Sequence, residues 1–408
     1  MANSVVVRIE AIAAGGAGVG RLDGKVVFVP RTAPGDEVAV SLRQHKRHAE
    51  GRVQRLITAG PARVVAPCAH YTNDRCGGCQ LQHLSYDAQL DAKRDMVIQA
   101  FRRIGRREVT IDGCFPSPSP WRYRNKLTLG LRQTAGVWRA GLRPYDAPDE
   151  LFRLDDCLIT GENVMHSWRE ILGAARYLPT TPRLRGAVRE VRDGCTFVLS
   201  GGDRWDTAAD LGAACPSLAA VKWEPEGAPA RVVWTRDGAQ AVGAFAQINA
   251  AVADALHGHV AERVGRQVPR KVIDAYGGDG SSARRLVTPE REVVVIERDA
   301  VASGLAVTTL GSGARVVTAP VEDVLARELP ADVVILNPPR SGVDASVCSA
   351  LERGVKPRTL IYVGCDPATL ARDVARLPSY AVRAVTLFDM FPQTAHVETV
   401  CELAPEVT

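Results

Sequence analysis

Five short apolar runs follow one another from about residue 270: VIDAY, VVVIE, RVVTA, ADVVILN and TLIYVG, with helical patterning between them. They are rich in β-branched residues and lack polar alternation. Strands of that kind are buried on both faces, which demands helices above and below them. Strands alternating with helices build a parallel, doubly wound sheet, so the fold class here is α/β. Two consecutive strand-like runs, YAVRAVTLFD and HVETVCEL, end the chain and predict a terminal hairpin. Aromatic residues are only 5% of the chain, so the core must lean on Val, Leu, Ala and Ile.

Open sheets of this type bind ligands at the carboxyl ends of their strands. The residues that close each run are therefore the first candidates. After VIDAY comes the loop DAYGGDG, Asp274 to Gly280, where glycines such as Gly278 and Gly280 let backbone approach a ligand. Glu297 ends the next run, 23 residues after Asp274, and an acid placed there can accept from both hydroxyls of a ribose. Together they point to an adenosine-type ligand. Asn337 closes another run in LNPPRSG, and its amide can donate and accept at a base edge. That motif is also similar to the one in amino-group methyltransferases acting on adenine, which usually carry an aromatic residue where Arg340 stands.

Cys365 closes TLIYVG, and Asp366-Pro367 opens a helix directly after it. Proline suits the first helical position, and a helix N-terminus favours a thiolate. Glu398 follows in FPQTAHVETV on a later strand. A thiol closing one strand and a carboxylate on a later one can add a nucleophile to a ring and then remove a proton from it.

The chain has 408 residues, room for two or three domains at about 150 residues each. Residues 1–60 read as short strands (VVVRIEAI, KVVFV, DEVAVSL) parted by glycine-rich or Pro-Gly turns, followed by the basic segment RQHKRHAEGRVQRL. That spacing predicts a small OB-like β-barrel. Residues 61–235 form a central unit, and 236–408 the α/β domain. Residues 85–107 predict an amphipathic helix capped by Ser85 that packs back onto the α/β domain. The block from Lys93 to Arg143 holds twelve Lys and Arg against Asp95, Glu108 and Asp112, which fits phosphate contacts or a solvated surface.

Ten cysteines in a chain of this length indicate metal binding or catalysis more than disulfides. Cys68, Cys76 and Cys79 lie close together in CAHYTNDRCGGCQLQHL, and Cys157 is the fourth candidate ligand with Cys114 as its rival. Four thiolates hold either zinc or a [4Fe–4S] cluster. Cys195, Cys215, Cys348 and Cys401 read as packing residues. No apolar run approaches the roughly 18 residues of a membrane span, and MANSVVVRIE lacks the pattern of a secretion signal. A cytoplasmic location with no membrane partner is the expectation.

These residues together resemble the RNA uracil-C5 methyltransferases, an S-adenosylmethionine-dependent family that often carries a TRAM domain and an iron–sulfur cluster. The matching stretches are FAQIN, DAYGGDG, NPPR, YVGCDPATLARD, DMFPQTAHVETV and CGGCQLQHL. The resemblance implies that Cys365 adds to uracil carbon 6, that carbon 5 takes a methyl group from S-adenosylmethionine, and that Glu398 then removes the carbon 5 proton. It places Gln247, Tyr276, Gly278, Gly280, Glu297 and Asn337 around the cofactor, with Asn337 also beside the target base. It assigns Cys68, Cys76, Cys79 and Cys157 to [4Fe–4S]. The target base would be flipped out of its stack.

Departures from the family pattern are visible. The family usually has Asp at position 337, and an amide cannot carry that charge. DAYGGDG replaces a phenylalanine–cysteine–glycine loop, and residues 69–75 make a longer spacing between the first two cysteines than usual. The expected protein is a monomer acting on structured RNA, with 23S rRNA favoured over transfer RNA uridine 54. A methyltransferase of an amino nitrogen and a non-catalytic RNA-binding or assembly factor are the alternatives.

Overall fold

The computed structural model describes residues 4–181, 183–239 and 247–406; Phe245 and Ala246 of the FAQIN run lie outside the described residues. Strands β1 (Val5–Ile12), β2 (Gly18–Leu22), β3 (Lys25–Val29), β4 (Glu37–Gln44) and β5 (His48–Thr58) close into a barrel in the order β1-β2-β3-β5-β4. Alternate residues point inward, so Val7, Ile9, Val27, Val29, Val38 and Val40 fill it. Two of these strands differ from the sequence expectation. β2 lies inside the stretch read as a glycine-rich turn, and β5 covers most of the basic segment and runs two residues past it. Gly18 and Gly20 are in β2 because the barrel is tight. A Cβ on Gly18 would sit 2.0 Å from Thr32 Oγ1, and one on Gly20 2.4 Å from the Arg8 carbonyl oxygen.

The short helix α1 (Ala69–Thr72) and the long α2 (Tyr86–Ala100) follow, then β6 (Gly113–Phe115). A mostly antiparallel sheet comes next, from β7 (Lys126–Thr134), β8 (Val137–Leu142), β9 (Phe152–Arg153), β10 (Arg183–Val191), β11 (Gly194–Ser200), β12 (Leu218–Glu224) and β13 (Arg231–Thr235). Helices α3 (Glu162–Gly173) and α4 (Ala208–Ala214) pack on it, burying Trp168, Phe197 and Leu211 together with Cys195 and Cys215.

Helix α5 (Ala250–Gly265) leads into the third sheet. Its strands are β14 (Lys271–Ala275), β15 (Glu292–Glu297), β16 (Arg315–Thr318), β17 (Val333–Leu336), β18 (Thr359–Gly364), β19 (Tyr380–Phe388) and β20 (Glu398–Pro405). The connecting helices are α6 (Ala300–Leu310), α7 (Val321–Glu328), α8 (Ala345–Glu352) and α9 (Pro367–Ala375). The order is β16-β15-β14-β17-β18-β20-β19-β6, with β20 antiparallel to both its neighbours. The expected terminal hairpin is present. The helix expected after GGDGS is reduced to a 3-10 turn, Ala283–Arg285. Pro289, soon after it, denies further helical growth at that point.

Segment 86–115 docks onto this sheet although it precedes the central sheet in sequence. Ser85 caps α2 by accepting from Ala88 N. Gln89, Lys93, Met96 and Val97 make its buried face, and β6 adds to the sheet edge alongside β19. Lys93 donates to Asp389 Oδ1 at 2.5 Å and to the Phe391 carbonyl at 3.0 Å, both charged side chains being only 1% exposed. Tyr86 Oη donates to the other oxygen of Asp389 at 2.8 Å. Removing one partner of such a pair strands a buried charge. Lys93→Met should cost about 3–5 kcal/mol, read as a lowered urea midpoint, and Lys93→Met with Asp389→Leu should recover most of it.

The basic block is therefore partly structural. Besides Lys93, Arg107 donates to the carbonyls of Tyr380 and Leu377, and Arg122 pairs with Asp156 and Glu162. These cations are committed to holding segments together and not to phosphate.

Candidate active site and cysteine cluster

Strand register brings the candidate residues together. Ala275 faces Leu336 across β14 and β17, and Asn337 N donates to the Ala275 carbonyl at 3.2 Å. Tyr276 and Asn337 are thus neighbours just beyond two adjacent strand ends. On the next ladder, Gly364 of β18 pairs with Thr399 of β20, which sets Cys365 beside Glu398. The junction after β18 forms as its residues dictate: Asp366 is the N-cap of α9, accepting from Thr369 N at 2.8 Å, and Pro367 takes the first turn.

The NPPRSG loop is tied to α9. Asp373 Oδ2 accepts from Val343 N at 2.9 Å and from Tyr362 Oη at 2.8 Å, while Arg372 donates to the Ser341 carbonyl at 2.7 Å. Gly342, at φ +80°, fits here because a Cβ would lie 2.2 Å from Asp373 Oδ2. Arg340 is thereby held where its charge acts on both Cys365 and Glu398.

Glu398 is buried, and burial pushes its carboxyl up to about 7, with Arg340 opposing that shift. Burial also pushes the Cys365 thiol up; Glu398 adds to the rise and Arg340 counters it. The helix N-terminus was expected to lower this thiol, but desolvation and the neighbouring carboxyl outweigh it. The pair is one acid able to accept a proton near neutral pH and one nucleophile, with a single guanidinium serving both.

At the nucleotide end, Glu297 Oε2 accepts from Gly278 N at 3.0 Å and Oε1 from Asp299 N at 2.7 Å. This fixes the carboxylate against the loop. Gly278, at φ +56°, has open space where a Cβ would be, and Tyr276 holds φ +64°. Asp274 is buried with Oδ1 unpartnered, and burial lifts it to about 6. Gln247 lies half-buried beside this domain, its carbonyl accepting from Asn125 Nδ2 at 2.7 Å. An acid, an orphaned buried oxygen and an open glycine cradle fit a ligand with hydroxyl and amino donors.

The four cysteines chosen from sequence line one cavity of about 260 Å³, with Tyr71, Gln82, Arg124 and Ile159 among its other walls. Burial pushes Cys76 up to about 11 and Cys79 up to about 12, and Cys157 also rises. Cys114 sits instead on β6, next to Arg94 and Asp389. Among the described residues, the trio with ligand atoms all within 4.8 Å of one another is His45, His48 and Glu50, and no cysteine trio meets that distance. Tetrahedral zinc with Zn–S bonds of about 2.3 Å would need sulfurs about 3.8 Å apart. Four thiol groups around one cavity suit either a tetrahedral zinc ion or a [4Fe–4S] cluster.

The family model described as tRNA (Uracil-5-)-methyltransferase matches residues 315–404, and the TRAM domain model matches residues 4–53. An uncharacterised RNA methyltransferase of Gloeobacter violaceus is 32% identical, covering 98% of this chain and 96% of its own length. Another from Halalkalibacterium halodurans is 31% identical, with coverages of 98% and 97%. The chain belongs to the RNA uracil-5 methyltransferase family. The crystal structure of Pyrococcus abyssi tRNA (uracil-54, C5)-methyltransferase in complex with S-adenosyl-L-homocysteine shares the fold, with TM-score 0.71, 24% identity and coverage of 98% of this chain and 100% of that one.

The methyltransferase is thus S-adenosylmethionine-dependent and carries its TRAM barrel at the front. The sequence alone assigns Arg340 no role, although its position directly after a strand-ending NPP is the signal. Asp274 likewise reads in the sequence only as the start of the loop. Its full burial, which makes the orphaned oxygen meaningful, is a tertiary property.

Proposed function

We propose that this methyltransferase forms 5-methyluridine in structured RNA, with 23S rRNA as the substrate, acting as a cytoplasmic monomer. The observation that carries the chemistry is the placing of Cys365 and Glu398 side by side on adjacent strands, under the charge of Arg340. Cys365 Sγ bonds to carbon 6 of the uracil ring, and the electron pair displaced from the ring double bond makes carbon 5 nucleophilic. S-adenosylmethionine, when bound against Glu297 and the DAYGGDG loop, supplies an electrophilic methyl group for carbon 5. Asn337 and Arg340 face the ring, the amide meeting its edge and the guanidinium stabilising enolate charge. Glu398 takes the carbon 5 proton, the ring double bond re-forms, and Cys365 leaves as thiolate.

Transfer RNA is the second reading, since the matched family model and the Pyrococcus protein both carry transfer RNA in their descriptions. Mapping 5-methyluridine in ribosomal and transfer RNA from cells with and without the gene decides between them. Loss at one 23S site is the expected result. Loss at transfer RNA position 54 alone would replace it, and no loss anywhere would end the uridine reading.

Cys68, Cys76, Cys79 and Cys157 would hold a [4Fe–4S] cluster, which would cross-link the segment after the barrel to the central sheet. Cys157→Ser should lower the iron content of anaerobically purified protein, whereas Cys114→Ser should leave it unchanged. A colourless wild-type protein with stoichiometric zinc would refute the cluster.

A further inference from the structure

Glu398 opens β20, and the connection 389–397 that delivers it is gripped from three sides. One grip comes from the residues directly after Cys79. Gln80 N and Leu81 N both donate to the Gln393 carbonyl, at 3.1 and 3.0 Å. Gln80 Oε1 accepts from Ala395 N at 3.3 Å, while its Nε2 donates to the Gly77 carbonyl at 2.8 Å. Gln80 is thus strung between the C-x2-C turn and the catalytic connection.

Two further contacts hold Pro392 and Gln393, beyond those that Lys93 and Tyr86 make to Asp389 and Phe391. Gln89 of α2 pairs with Gln393, donating to its Oε1 at 3.0 Å and accepting from its N at 2.9 Å. Tyr123 Oη donates to the Pro392 carbonyl at 2.9 Å. Gln393 is 3% exposed and holds φ +68°, a conformation that a non-glycine residue keeps only when its surroundings enforce it. The TRAM barrel joins at the same point. Gly16, at φ +87°, packs so closely that a Cβ would lie 2.6 Å from Gln80 Cβ and 3.2 Å from Ala395 Cβ.

We infer that Gln80 and Gln393 couple the four-cysteine site to the catalytic base, so that ordering of Cys79 by its metal sets the reach of Glu398 to carbon 5. The inference rests on the uridine reading above. Gln80 is a positioning residue, since it touches the connection and not the reacting atoms. The affected step is the last one. The carbon 5–hydrogen bond breaks and its proton passes to the Glu398 carboxylate. The electron pair of that bond forms the carbon 5–carbon 6 double bond. The carbon 6–sulfur bond breaks with its pair returning to Cys365. Addition of Cys365 and methyl transfer precede this step and do not require the base.

The two halves can be measured separately. With RNA carrying 5-fluorouridine the base has no proton to remove, so trapping reports only addition and methyl transfer. With ordinary RNA, the fraction of enzyme held as covalent adduct rises when proton removal is slow. Gln80→Leu in the holoenzyme should leave the trapping rate unchanged and slow proton removal roughly tenfold, the worth of one lost hydrogen bond, so that adduct on ordinary RNA accumulates. Holoenzyme treated with an iron chelator should show the same split. Gln89→Leu, acting on Gln393 from α2, is the second variant should Gln80→Leu fail to fold.

Parallel loss of trapping and proton removal would overturn the coupling and leave only a structural role for the segment. No change in either would overturn it too. If the wild-type protein forms no adduct with 5-fluorouridine RNA, the uridine reading itself falls and the coupling with it.

Discussion

Cys365→Ala should reduce 5-methyluridine formation by at least about 10⁴-fold while leaving S-adenosylmethionine binding unchanged. Carbon 5 of uracil is a poor nucleophile until carbon 6 is attacked, so nothing else in the site can replace the sulfur. Cys365 lies one residue beyond Gly364, at the end of a strand whose residues are all buried, with α9 starting behind it. The backbone that carries the thiol is therefore anchored on both sides. The check is transfer of labelled methyl to RNA by wild type and variant. A Cys365→Ala protein with full activity would shift the chemistry to an amino nitrogen, for which the NPPR motif is the remaining candidate.

Glu398→Gln should separate the two halves of the reaction. The glutamine cannot take a proton, so the variant should add, methylate and then stall, accumulating covalent adduct on ordinary RNA with turnover lower by roughly 10²–10⁴-fold. In the wild type, proton removal should rise with pH and level off above about 7, because only the ionised carboxyl accepts the proton. Stability should move the opposite way. Burial raises the folded carboxyl to about 7 from its ordinary 4.5, so the folded state keeps a proton that the unfolded chain has lost. The stability tied to this group is full below about 4.5 and is lost as pH rises through 7. Glutamine escapes that loss, and Glu398→Gln should be more stable than wild type at pH 8 by on the order of 2 kcal/mol. A variant that turns over normally, or that is less stable at pH 8, would contradict a buried base in this place.

Much of the C-terminal domain was legible because its signals are local. Val-rich runs with no polar alternation become strands buried on both faces, as β14, β15, β17 and β18 do. The Asp-Pro after Cys365 and the Ser before Tyr86 start helices where they stand, since caps act on backbone groups within one turn. The barrel was harder to read. β2 is a strand despite two glycines because close strand crossing excludes side chains, and sequence alone reads glycine as a turn.

The basic block was legible as charge but not as purpose. Lys93 looks like its neighbours in sequence, yet it is sealed against Asp389, 296 residues away. Its partner could be known only once α2 was seen lying on the β19–β20 connection.

The order of residues by itself determined the α/β domain, the strand-end positions of Cys365 and Glu398, and which cysteines were candidates for metal. Tertiary structure alone decided that Cys157 and not Cys114 shares the cavity with the other three, that the charge of Arg340 acts on both Cys365 and Glu398, and that Glu398 is buried enough to hold a proton near neutrality. Strand and helix signals act over a few residues and are written in the chain. Desolvation and charge pairing depend on what folding brings near from hundreds of residues away, and a carboxyl's neighbours in space are not its neighbours in sequence.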